Sequence, residues 1–298
     1  MKTVFLFINL ISMALWMNRL ESQPLAERYA GYGKLRIVPM RNALFPHAQR
    51  EKGYTYRDEF YSSEQHYQDS SVALFIPREY NPGDSVNLVF HFHGWRNHID
   101  SVFAQFKLIE QFCASGYPGI LVVPQGPFDA PDSHGGKLEE INGFTRLVDE
   151  IVNDLYQEKF IRQPRIGDIL LSGHSGAYRV IARILARGGM QDKIHSVFLF
   201  DALYADLEKY TYWLCRNDGR LFIIYTDDGG TDEETITLMD NLTGWQLPFF
   251  KYEEKTIDWR ELENQRLVFI HTELTHNQVI SERRQFYHFL QAIQTKVE

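Results

Sequence analysis

Seven short apolar runs, at residues 72–76, 86–93, 119–123, 168–171, 196–200, 220–225 and 267–271, recur along this chain, with helix-length stretches such as 99–115, 143–159 and 178–188 between most of them. A strand with one wet face alternates apolar and polar side chains. These runs are apolar nearly throughout, so both of their faces must be covered. Strands that alternate with helices meet that demand by forming a mostly parallel sheet with helices on both sides. The pattern predicts an α/β fold. Residues 23–71 are polar and aromatic without a clear period and are expected to form an N-terminal extension or edge elements. No repeat, low-complexity tract or linker interrupts the rest, so 23–298 reads as a single domain. At 298 residues, with 44% hydrophobic and 23% charged, the chain can bury a large core.

In such sheets the chemistry sits just beyond the carboxyl ends of the strands. The run 168–171 leads into Gly173-His174-Ser175-Gly176-Ala177, followed by a helix-like segment. A serine between strand and helix, flanked by small residues, is a nucleophile candidate, because the turn is too tight for bulk at its edges. The fifth position, often Gly, is Ala177 here.

Four other strand ends carry candidates. After the run 86–93 comes His93-Gly94-Trp95, a turn that can aim a backbone N–H at a developing oxyanion. Its donors would be Trp95 and Gly176. His91, His93 and His98 also admit a metal reading, but no acidic or thiol partner stands at a familiar spacing, and no metal is expected. Asp201 follows the apolar run 196–200, where a carboxylate needs a partner such as an imidazole. Asp228 is the alternative acid, with Asp227 and Asp232 in the same Asp-Asp-Gly-Gly turn region. His276, on the loop after the last run, is the candidate base, and His271 is the second choice.

The remaining features set the context. A formal net charge of −8 and no basic stripe argue against nucleic-acid binding. Residues 1–22 run from Lys2 through an apolar stretch to a polar exit, the pattern of a secretory signal peptide, which predicts a secreted or periplasmic protein. The apolar part is too short for a bilayer span, so no stable membrane span is expected after cleavage. Cys113 and Cys215 read as two buried free thiols in helical segments.

The order Ser175, Asp201 or Asp228, then His276, together with the His93-Gly94 turn and the Gly173–Ala177 pentapeptide, resembles the α/β-hydrolase-fold serine hydrolases of the esterase and lipase type. The resemblance runs from residue 72 to the C-terminus. It implies a Ser-His-Asp triad that cleaves a carboxylic ester through an acyl-enzyme, with no cofactor. Arg96, Lys137 and Tyr178 are candidate substrate-binding residues for a small or polar ester or amide. The same triad would serve an amidase or peptidase acting on cell-envelope material, and a non-catalytic binding protein that kept the fold is the third reading.

Overall fold

A computed structural model describes residues 24–294 of the chain. The leader expected at 1–22 lies outside them.

In chain order the strands are β1 (Gly33–Pro39), β2 (Tyr54–Tyr56), β3 (Glu59–Tyr61), β4 (Ser71–Pro77), β5 (Val86–Phe92), β6 (Ile120–Pro124), β7 (Ile166–His174), β8 (Ile194–Phe200), β9 (Arg220–Thr226), β10 (Phe250–Glu253) and β11 (Leu267–Thr272). The main helices are α1 (Ile99–Phe106), α2 (Leu108–Ser115), α3 (Gly143–Gln157), α4 (Tyr178–Arg183), α5 (Leu207–Leu214), α6 (Asp232–Gly244) and α7 (Gln285–Ala292). Nine strands form one sheet in the order β1-β4-β6-β5-β7-β8-β9-β11-β10, and β2 and β3 make a separate hairpin. Only β4 runs against its neighbours β1 and β6; all pairings from β6 to β10 are parallel. This is the predicted α/β architecture.

Successive residues of a strand point to opposite faces, and here both faces are apolar. Ile169, Leu171, Val197, Leu199, Leu221 and Ile223 pack on one side with Phe144, Leu147 and Ile151 of α3, Ile181 of α4 and Trp213 of α5. Leu170, Phe198, Phe200, Phe222 and Ile224 face the other side, under Phe103 and Phe106 of α1, Phe112 of α2, and Phe286 and Phe289 of α7.

Two expectations change. The stretch 99–115 is two helices, because Lys107 adopts a left-handed φ of 49°. The apolar positions 102, 103 and 106 are out of phase with 108, 109 and 112 on a continuous helix. The break resets the register so that both sets reach the same core. Second, the free cysteines are not buried: Cys113 is half-buried and Cys215, at the end of α5, is exposed.

Candidate active site

From β5 the chain adds β6 on one side and then returns to place β7 on the other. The order of strands therefore reverses between β5 and β7. At such a point the two carboxyl ends diverge and leave a crevice for a ligand. Ser175 stands directly after β7, and Gly94 two residues after β5.

The turn at Ser175 is as tight as its sequence demands. Ser175 has φ 55°, a left-handed conformation that costs a non-glycine residue about 1–2 kcal/mol. A Cβ on Gly173 would lie 2.7 Å from the Ala177 Cβ and 2.7 Å from the Ile181 Cδ1, so only hydrogen fits there. Ala177 is tolerated because its methyl group occupies the space that Gly173 leaves open. A Cβ on Gly94 would lie 2.6 Å from the Ser175 Cβ, which puts the β5 turn against the candidate nucleophile. Gly176 is equally enclosed: its added Cβ would meet the Ser133 Oγ and the Trp95 Cδ1, each at 2.6 Å.

The candidate acid and base meet across the strand ends. The His276 Nδ1 and the Asp201 Oδ2 are 2.6 Å apart, with Asp201 fully buried and the histidine side chain 28% exposed. The Thr226 hydroxyl donates to Oδ2 at 2.9 Å, while the Thr226 amide, at 3.3 Å, and the Thr231 hydroxyl both donate to Oδ1. Burial pushes the Asp201 pKa up, but the hydrogen bonds from His276, Thr231 and Thr226 more than offset this and hold it below the usual carboxylate value. Asp201 is therefore an anion whose hydrogen bond fixes the imidazole tautomer, leaving Nε2 as the basic nitrogen. Among the described residues no hydrogen bond joins this imidazole to the Ser175 hydroxyl. The serine side chain meets the Tyr204 hydroxyl, which donates to the Gly229 carbonyl at 2.6 Å. Such nucleophile-to-base contacts often tighten only when substrate is bound.

The turn after β5 is held by His93. Its Nδ1 donates to the Gly94 carbonyl at 2.8 Å, and its Nε2 accepts from the Gly126 amide at 2.9 Å. Burial pushes its pKa down to about 4, so the ring is neutral. In a trans peptide the C=O and the following N–H point in opposite directions. With the Gly94 carbonyl turned to His93, the Trp95 N–H points away from it. His91 instead bonds the Ser172 hydroxyl at 2.9 Å, and His98 bonds Asp129 at 2.9 Å. Among the described residues no group of three or more His, Cys, Asp and Glu could hold a metal ion.

The other candidates scatter. Asp228 is exposed on its turn, while Asp227 binds His271 at 2.8 Å. His271 is also held by Glu253 at 2.7 Å; burial pulls its pKa down, and the two carboxylates more than restore it. Arg96 is exposed, hydrogen-bonded to Tyr61 and 3.6 Å from Glu59. Lys137 donates to the Arg41 carbonyl. Tyr178 is half-buried, its ring 5.8 Å from that of Tyr204, and it borders the nucleophile turn.

Several site residues escaped the sequence reading. Tyr204, Ser133, Thr226, Thr231 and His174 all touch the triad candidates or their turns. The positions of Tyr204, three residues after Asp201, and of His174, directly before Ser175, offered a signal.

No family sequence model matches the chain, and no curated protein matches its sequence. Solved structures do match its fold. One is FphF, a fluorophosphonate-binding serine hydrolase of Staphylococcus aureus, with TM-score 0.52 and 11% identity over 88% of this chain and 99% of that one. A ferulic acid esterase gives TM-score 0.53 and 13% identity over 87% and 98%. The feruloyl esterase module from Clostridium thermocellum gives 0.50 and 12% over 92% and 89%.

Proposed function

We infer that this chain, an α/β-hydrolase by fold, is a serine hydrolase that cleaves carboxylic esters through an acyl-enzyme. The observation that carries the reading is the buried, ionised Asp201 hydrogen-bonded to His276 at the same sheet rim as the left-handed turn of Ser175.

In this mechanism the His276 Nε2 takes the Ser175 proton as the serine oxygen attacks the ester carbonyl. Asp201 stabilises the imidazolium, and the Trp95 and Gly176 amides receive the oxyanion. The imidazolium then protonates the leaving alkoxide. Water, activated by the same base, attacks the acyl-serine and releases the acid. The neighbours named above, a fluorophosphonate-binding hydrolase and two feruloyl esterases, favour an ester over an amide leaving group. The apolar segment within residues 1–22 favours export, with N-terminal sequencing of secreted material expected to start near Gln23.

A fluorophosphonate probe and a pair of chromogenic substrates test the reading together. Wild type is expected to label and to hydrolyse short p-nitrophenyl esters, and Ser175→Ala to do neither. Faster turnover of peptide anilides would reassign the protein as an amidase. Folded wild-type protein that stays unlabelled would leave a binding role as the only reading.

A further inference from the structure

His174 has no role in the mechanism above, yet it touches His276 twice, at the backbone carbonyl and at the ring. It ends β7 with an extended backbone, is 3% exposed, and turns its ring to the side opposite the α4 core. Its Nε2 lies 2.8 Å from the backbone carbonyl of His276, so this nitrogen carries the proton and donates. The two imidazole rings lie 4.5 Å apart, centre to centre, at 34°. Phe106 closes the other side of the His174 ring at 4.9 Å.

The loop that carries His276 needs such a tether. Between β11, which ends at Thr272, and α7, which begins at Gln285, the chain forms only turns. Its internal bonds are local, as from the Thr275 amide to Gln278 and the Leu274 amide to Thr272. The loop is anchored on either side of His276, by the Lys255–Glu273 ion pair and by the buried Ile280, whose carbonyl accepts from Gln111. At His276 itself Asp201 holds the ring through Nδ1, and His174 holds the backbone carbonyl.

We propose that His174 is a positioning residue: its Nε2–H pins the His276 carbonyl to the end of β7, and its ring forms the floor on which the base rests. This proposal rests on the serine-hydrolase reading for its catalytic meaning, though the pinning itself is a property of the fold. Desolvation holds the ring uncharged, with a pKa pushed down to about 3. The imidazolium that forms on His276 therefore meets no second positive charge beneath it.

Two variants separate pinning from packing. His174→Leu fills the space without a donor, and His174→Gln restores an amide N–H at the reach of Nε2. With a p-nitrophenyl ester, the leucine variant is expected to lose about 10²-fold in kcat, the scale for a misplaced catalytic group, with KM little changed. The glutamine variant should recover most of that loss. The low-field proton resonance of the Asp201–His276 hydrogen bond gives a readout that needs no turnover. It should broaden or vanish in the leucine variant and return in the glutamine variant, at equal thermal stability. Unchanged kcat and an unchanged resonance in the leucine variant would overturn the proposal. So would equal loss in both variants. An inert wild type whose resonance still follows the two variants would refute the hydrolase reading and keep the pinning.

Discussion

At the scale of single residues, the surroundings of Asp201 follow from where it stands in the sequence. A carboxylate at the end of a fully apolar strand must find donors or be neutralised. It found three side chains, and the turn that offered the rival acid supplies part of its shell. Thr226 and Thr231 bracket the Asp227-Asp228-Gly229-Gly230 turn and hold Asp201, while Asp228 stays in solvent. A Cβ on Gly229 would sit 1.7 Å from the Asp201 Oδ2, so the turn is glycine-rich because the carboxylate presses against it. Asp201→Asn should therefore lower kcat by about 10³–10⁴, the range for a triad acid exchanged for its amide, while Asp228→Asn stays within about twofold. Side-by-side turnover measurements check this, and equal loss in both would return Asp228 to candidacy. Gly229→Ala should mimic Asp201→Asn in part, by displacing the carboxylate, with KM nearly unaffected.

At the scale of elements, what could be read depended on burial. The seven apolar runs became strands within a few residues of their expected bounds, since a strand covered on both faces has no polar side to hide its pattern. The elements that were missed lie where burial is partial. β1 is an edge strand that interleaves Lys34 and Arg36 with Leu35 and Ile37, and Ile37 is 44% exposed. β10 is the opposite edge, four residues long and mostly exposed. The hairpin of β2 and β3 is three residues a side, too short for a period to declare itself. The turn at Ser175 was legible for the opposite reason: its small residues answer to contacts one turn away. Gly173→Ala should then cost about 1–3 kcal/mol, as overpacking does, because the new methyl would press on Ala177 and Ile181 at 2.7 Å. Chemical denaturation would register that loss, and Ala177→Gly made in the same background should relieve part of it. Full stability in Gly173→Ala would mean that the turn is looser than its geometry indicates.

At the scale of the whole molecule, the strand ends gather several histidines into a water-poor interior, and that shapes how the fold responds to acid. His91, His93 and His174 are buried, and desolvation pushes their pKa values down from 6.5 to about 3, 4 and 3. In the unfolded chain they would protonate near 6.5. Their contribution is complete above that pH and is lost as the pH falls toward their folded values. Each such ring gives up about 1.4 kcal/mol per pH unit below its unfolded value, a large share of the roughly 5–15 kcal/mol that holds a typical protein folded. Asp201 acts in the same direction, but its pKa lies below 3.8, so its loss begins only in stronger acid. His271 acts the other way: its raised pKa means that its contribution is present in acid and fades as the pH rises, and its partial exposure keeps that contribution small. Stability should therefore drop steeply between pH 6.5 and 5, well above the range in which carboxylates titrate, with unfolding in that window taking up several protons, since His134 and His288 are likewise pushed down to about 4. Calorimetric Tm values at pH 7, 6 and 5 would measure the slope. A flat Tm across them, or an uptake of less than one proton, would mean that these rings are solvated enough to charge in place, and that the sheet's histidine-bearing rim is wetter than its packing implies.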